Sequence, residues 1–209
     1  MPSEKSFKES DIVNQAMQIF WEKGYAGASI SDITEATGIK RGSLYNAFDG
    51  KGDLFLQSLF RYEHTRLTQR LAQLDKIDDP REAIAAFFDS PERSSEPEAC
   101  SGGGSRGCLL VNTLFEYAHH DPEIQRAVSD ALGEVVSFFE RRIRQGQREG
   151  VIPASVEAQG TAQALFAYLV GLRVLGRGAK GPDELRPLST LAMRLLGDRD
   201  CPGESSSLS

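Results

Sequence analysis

The chain has 209 residues, 40% of them hydrophobic and 26% charged, which is enough apolar content to bury a substantial core. No apolar run nears the roughly 20 residues of a membrane span, and the opening MPSEKSFKES has no hydrophobic signal stretch; a soluble, cytoplasmic protein without a membrane partner is expected. The net charge of −6 excludes a protein that coats nucleic acid through an overall basic surface, so any such contact has to be local and oriented.

Lys5 and Lys8 open the chain as cations that suit either a phosphate backbone or plain solvent. From Ser10 onward Ile12, Ala16, Ile19 and Phe20 recur at helical spacing, and Gly24 ends that helix by allowing a left-handed backbone. Ser29 or Ser31 can cap a short second helix with Ile33 and Ala36 facing inward, and Gly38 supplies a tight turn. A third helix, roughly Arg41 to Phe48, puts Leu44 and Phe48 on its buried side and leaves Lys40, Arg41, Ser43, Tyr45 and Asn46 on or near the other.

Those exposed residues meet the needs of a DNA major groove. Arg41 can make a bidentate contact to guanine or phosphate, Asn46 can bond base edges, Ser43 and Tyr45 can reach phosphate oxygens, and Gly42 has no side chain to hold the helix off the backbone. Lys51, between Gly50 and Gly52 at the start of the next helix, suits a phosphate anchor. The same spacing also describes a three-helix unit with a few surface cations and no DNA partner.

The segment SISDITEATGIKRGSLYNAFDGKGDLF resembles the DNA-binding signature of TetR-family repressors. The likeness runs from about Phe7 to Phe60 and includes Gly24-Tyr25, Ile33, Gly38, Gly42, Leu44-Tyr45, Phe48, Lys51 and Asp53-Leu54-Phe55. It implies that Ser29 holds a phosphate, that Arg41, Gly42, Ser43, Tyr45 and Asn46 enter the groove, and that Lys51 sits on the backbone of double-stranded operator DNA. Asn46-Ala47 and Asp49-Gly50 depart from the aromatic, His or basic residues common in relatives, which bears on the operator sequence rather than the binding mode.

Beyond the head, residues 54 to 88 and 108 to 196 carry long helical periodicities, and alternation at period two never persists, so the fold class is all-α. Residues 90–107 are rich in Pro, Ser, Glu and Gly and read as a loop; the end CPGESSSLS reads as a flexible tail. The expected organisation is a helix-turn-helix domain over 1–53, a larger helical regulatory and dimerisation domain over 54–198, and a tail over 199–209.

In that second domain a helix from about Asp121 to Gly150 begins at Asp-Pro and carries Ile124, Val128, Leu132, Val135, Val136, Phe139 and Ile143 as an apolar stripe. Ser155 then caps a helix whose Ala158, Ala162, Leu165, Phe166, Leu169, Val170, Leu172 and Val174 cover more than one face. Such a helix is either the centre of a one-chain core or the face of a homodimer. The stretches RGCLLVNTLFEYAHHDPEI and RQGQREGVIPASVEAQGTAQALFAYLVGLRVLGR resemble one TetR subgroup, which implies pairing through the two C-terminal helices and a signal site between them and the DNA domain.

Two signals fit this body. Phe87, Phe88, Val111, Phe115, Phe138, Phe166 and Tyr168 can line a pocket for a small-molecule effector, with Asn112, Glu116 or His119 orienting it, although aromatics at this spacing equally form plain core. Cys108, at the start of an apolar helix, is a redox or electrophile-sensing thiol or simply a packed hydrophobe, with Cys100 as a resolving partner. Cys100, Cys108 and Cys201 have no metal-ligand spacing, His119 and His120 point to different faces, and no nucleophile with a base or phosphate-cradling loop is found; no metal, no cofactor and no enzymatic activity are expected. The functional expectation is a sequence-specific transcriptional regulator, a repressor released by its effector, with a helical protein-protein adaptor as the contrasting possibility.

Overall fold

In a computed structural model the described residues are 9–88, 106–178 and 186–198. Lys5, Lys8, Cys100, Cys201, most of the 90–107 loop and the 199–209 tail lie outside them. The described chain is helical without strands, and none of its helices is long and apolar enough to cross a membrane. The helices are α1 (Glu9–Gly27), α2 (Ile30–Thr37), α3 (Arg41–Ala47), α4 (Lys51–Tyr62), α5 (Gln69–Leu74), α6 (Pro80–Phe88), α7 (Leu109–Glu116), α8 (Pro122–Arg148), α9 (Ala158–Gly178) and α10 (Arg186–Ala192). A π-helical segment, Glu63–Thr68, joins α4 to α5.

The chain divides into two compact units, each built from two stretches: the described parts of Met1–Arg70 with Arg106–Leu132, and of Leu71–Ser105 with Gly133–Ser209. In the first, α1 buries Ile12, Val13, Ala16, Met17, Phe20 and Trp21 along one face. Phe20 meets Phe55 of α4 edge-on at 4.8 Å, and Trp21 meets Tyr62 at 5.0 Å in the same manner. The stretch entering α7 is fastened to α1 by polar contacts: Trp21 Nε1–H donates to the Gly107 carbonyl (3.0 Å), Arg106 donates to Gln18 (3.0 Å), and Asn112 donates back to the Arg106 carbonyl (2.9 Å).

Helical hydrogen bonding in α1 runs to Gly27, but Gly24 sits at φ 72, ψ 171, so the break expected there is a kink followed by one more turn. The conformation is open only to glycine without strain. A methyl group at this position would also stand 2.6 Å from a carboxylate oxygen of Glu116.

In the second unit Phe87 and Phe88 of α6 pack on Phe138 and Phe139 of α8, with ring centroids 5.1 to 5.8 Å apart, and Phe88 reaches Tyr168 of α9 at 6.4 Å. The Arg81 guanidinium donates to the carbonyls of Val151 (3.2 Å), Leu196 (3.4 Å) and Gly197 (2.8 Å), tying α6 to the turn after α8 and to the end of the described chain. The 54–88 periodicity is interrupted between Leu74 and Pro80. There Asp79 accepts the N–H groups of Arg81 (2.7 Å) and Glu82 (3.1 Å) with Pro80 in the first helical position, the same device by which Asp121 and Pro122 start α8.

Two local expectations are corrected. Ser155 does not cap α9; the Glu157 carboxylate does, accepting the Gln159 and Gly160 N–H groups, and Glu157 directly precedes the first helical residue. In α2 the buried partner of Ile33 is Thr37 rather than Ala36, which is exposed. Thr37 lies one turn from Ile33, and its hydroxyl is satisfied by donating to the Ile33 carbonyl at 2.6 Å, so its burial leaves no polar group orphaned.

The start of α2 carries a reciprocal cap. Asp32 N–H donates to the Ser29 hydroxyl (3.0 Å), and the Asp32 carboxylate accepts the Ser29 N–H (2.7 Å) and an ammonium bond from Lys23 of α1 (2.7 Å). Lys23 first, then the Ser29 hydroxyl and N–H, hold the Asp32 carboxyl well below the usual carboxylate range. A carboxylate whose folded pKa lies below its unfolded value of about 3.9 contributes stability above that pH and loses it as pH falls toward the folded pKa. Asp32→Asn is therefore expected to lower the melting temperature at neutral pH, with the gap to wild type closing as pH drops below about 4. Thermal melts across pH check this; a gap that stays constant with pH shows that the charge of Asp32 contributes nothing.

Candidate nucleic-acid interface

The recognition unit consists of α2, α3 and the start of α4. After α2, Gly38 at φ 68 closes the helix by donating its N–H to the Thr34 carbonyl, and Lys40 in extended backbone begins α3 with no side-chain cap. Leu44 is fully buried, and Ile33, Ile39 and Phe48 are buried with it, fixing which side of α3 faces the protein. Arg41, Gly42, Ser43, Tyr45 and Asn46 all lie on the exposed side. A Cβ at Gly42 would meet nothing within 4 Å, and the Arg41 guanidinium lies 5.8 Å from the Tyr45 ring centroid. The face thus offers a planar cation, an amide, two hydroxyls and a gap where backbone can approach closely, the donor set that base edges and phosphates accept.

Ser29 lies at the N-cap of α2, where its hydroxyl is engaged with Asp32. Lys51 is the first residue of α4, after Gly50 at φ 102; the Asp53 carboxylate accepts the Asp49 N–H at 2.9 Å and shapes this turn. The Lys51 ammonium lies 4.4 Å from the centroid of the Tyr25 ring, and partial burial lowers its pKa. Tyr25 in turn stacks on Tyr117 at 3.9 Å between centroids. The pairing of the two tyrosines depends on packing between distant parts of the chain and leaves no local pattern in the sequence.

The expected effector residues fall into two groups. Phe87, Phe88 and Phe138 are buried against one another in the second unit, and Phe166 and Tyr168 are half-buried on α9. Val111, Asn112 and Phe115 belong to α7 in the first unit, where Val111 is buried and Phe115 is 60% exposed. Also in the first unit, Phe20, Gly24, Tyr25, Phe55, Leu109, Asn112, Thr113, Glu116 and Tyr117 enclose a cavity of ≈ 10 Å³, room for about one water molecule. Cys108 is the half-buried N-cap residue of α7, and its carbonyl accepts the Asn112 N–H at 2.9 Å.

Comparison with known proteins bears on this arrangement. The pattern defining "Bacterial regulatory proteins, tetR family" matches residues 12–57, and that of "Tetracyclin repressor-like, C-terminal domain" matches residues 80–186. The chain is 25% identical to the HTH-type transcriptional repressor ComR of Escherichia coli over 91% of its own length and 90% of that protein's. It is 30% identical to IcaR of Staphylococcus epidermidis, a negative transcriptional regulator of the biofilm operon icaADBC, over 69% of its own length and 88% of that protein's. Among solved structures, a cysteine mutant of the TetR-family regulator CifR complexed with 26-base-pair double-strand operator DNA superposes with a TM-score of 0.78 at 29% identity, covering 91% of this chain and 97% of that one. With α1 to the first half of α4 matched by the first pattern and α6 to α9 by the second, the chain belongs to the TetR family of bacterial regulatory proteins and is a DNA-binding transcriptional regulator.

Proposed function

We propose that this regulator is a repressor that grips a two-fold operator as a homodimer, with Arg41, Gly42, Ser43, Tyr45 and Asn46 in the major groove and Ser29 and Lys51 on the phosphate backbone, and that a small-molecule effector releases it. The observation carrying the groove assignment is the sidedness of α3: Leu44 and Phe48 are buried while Arg41, Gly42, Ser43, Tyr45 and Asn46 are exposed. The functional division follows, with DNA contacts in residues 1–53 and pairing and signal reception in 54–198. A single seven-residue helix touches few base pairs, so two copies about 34–36 Å apart supply the affinity a regulator needs.

Support for pairing comes from what the chain leaves uncovered. The apolar stripe of α8, including Ile124, Val128, Val135, Phe139 and Ile143, is buried within the chain, so that stripe is not itself free to meet a partner. Val174 and Leu175 on α9 and Leu191 and Leu195 at the C-terminal end are 41 to 56% exposed, so the homodimer is assigned to the last two helical segments. Effector binding is assigned to the aromatic residues Phe87, Phe88, Phe138, Phe166 and Tyr168 of the second unit, with Val111, Asn112 and Phe115 of the first as further candidates. A second reading, modification of Cys108, is favoured by its partial exposure at a helix start held by the Trp21, Arg106 and Asn112 contacts.

Titrating the DNA upstream of the protein's own gene at fixed salt tests the groove assignment. Arg41→Ala and Tyr45→Ala are each expected to cost about 1–3 kcal/mol of affinity per half-site, and undiminished binding by both variants removes it. For pairing, Leu175→Glu with Leu191→Glu is expected to yield monomers in sedimentation equilibrium that retain the helical circular dichroism of the parent; a persistent dimer contradicts the assigned face. Cys108→Ser separates the two signals: it abolishes release by oxidants or electrophiles if the thiol senses them, and an unchanged response eliminates the thiol.

A further inference from the structure

The end of α7 lies against the turn that presents Lys51. Gly24, with its glycine-only backbone and no Cβ, lets the Glu116 carboxylate come within the space a methyl group would fill. Tyr117, the residue after α7, lies face to face with Tyr25, the first residue beyond the kink, at 3.9 Å and an interplanar angle of 28°. Phe55 of α4 closes against both rings, at 4.9 Å from Tyr25 and 6.2 Å from Tyr117. Tyr25 therefore has one face on Tyr117, with Phe55 tilted against it at 49° and Phe20 near-parallel at 6.3 Å, and the Lys51 ammonium lies 4.4 Å from its centroid.

Lys51 has no carboxylate within ion-pair distance among the described residues; the ring of Tyr25 lies beside its ammonium, and the Asp32 carboxylate acts on it from farther off. An aromatic face attracts an ammonium without neutralising it, so the cation stays available to a phosphate while its four-carbon stem is held in one direction. The first turn of α4 follows the same ring, since a Cβ at Gly52 would stand 3.9 Å from the Tyr25 hydroxyl. The Tyr25 hydroxyl is pushed up to about 12, first by burial and then by its hydrogen bond with Tyr117, so the ring beside Lys51 is neutral in the working pH range.

We infer that Tyr117 is a positioning residue for DNA binding: stacked on Tyr25, it fixes the ring that aims Lys51 at the operator backbone, so the placement of α7 sets the strength of one phosphate contact in each head. This rests on the reading of Lys51 as a phosphate contact. A cation–π contact of this kind corresponds to about a two- to fivefold effect on affinity per half-site, and loss of one phosphate contact lowers the slope of log affinity against log salt by about 0.9.

The test measures operator affinity from low to moderate salt for full-length wild type, Lys51→Ala, Tyr117→Leu, Tyr117→Phe and the Lys51→Ala/Tyr117→Leu double variant. The expected result is that Lys51→Ala and Tyr117→Leu both weaken binding and flatten the salt slope, that Tyr117→Phe, which keeps the stack, restores both, and that Tyr117→Leu has no further effect once Lys51 is gone. An unchanged slope for Tyr117→Leu, or additive losses in the double variant, overturns the inference while leaving the Lys51 contact in place. An unchanged slope for Lys51→Ala overturns the contact and the inference together. Should Tyr117→Leu fail to fold, Tyr25→Leu takes its place with the same expected outcomes.

Discussion

A seven-residue helix is far too short to persist in water, where isolated helices below about 12–15 residues are marginal. Helix α3 exists because Leu44 is fully buried and Ile39 and Phe48 beside it are nearly so. The same burial decides which five residues face away from the protein. Fold and interface are thus one fact about α3: the anchors that keep it helical also orient its exposed side, and exchanging an anchor for a polar residue would remove both.

That anchoring depends in turn on the α1–α4 pair. Phe20 and Phe55 meet edge-on beneath the recognition unit, and the Ser29–Asp32 cap, pinned by Lys23, ties the start of α2 back to α1. Helix α7 completes the unit from far along the chain, through the Trp21–Gly107 bond on one side and the Tyr25–Tyr117 stack on the other. A displacement of α7 therefore has a short physical route to Lys51, through Tyr117 and Tyr25, without a change in α3 itself.

Much of this was legible in the sequence, for identifiable reasons. The four-residue spacing of Leu44 and Phe48, the Gly38 turn and the Asp121-Pro122 helix start are local signals, and each was readable where it stands. Asp79-Pro80 carries the same start signal, but strong periodicity on either side hides the break before α6. The burial of Thr37 is not legible in the sequence, because a hydroxyl reads as polar until its bond to the Ile33 carbonyl is known. The stripe of α8 was correctly apolar, but periodicity does not say whether a stripe meets its own chain or a second copy. The joining of residues 106–132 to the N-terminal helices, and with it the Tyr25–Tyr117 pair, rests on packing between distant segments that no local pattern encodes.

The central proposition is that two copies of α3 read base edges in successive major grooves. Methylation interference on the DNA upstream of the regulator's own gene addresses it directly, because methylated guanine N7 obstructs the major groove alone. A symmetric reader gives two clusters of interfering guanines about one helical turn, 10–10.5 base pairs, or a multiple of it apart. Binding that is indifferent to N7 methylation, or a single isolated cluster, contradicts a paired major-groove reader.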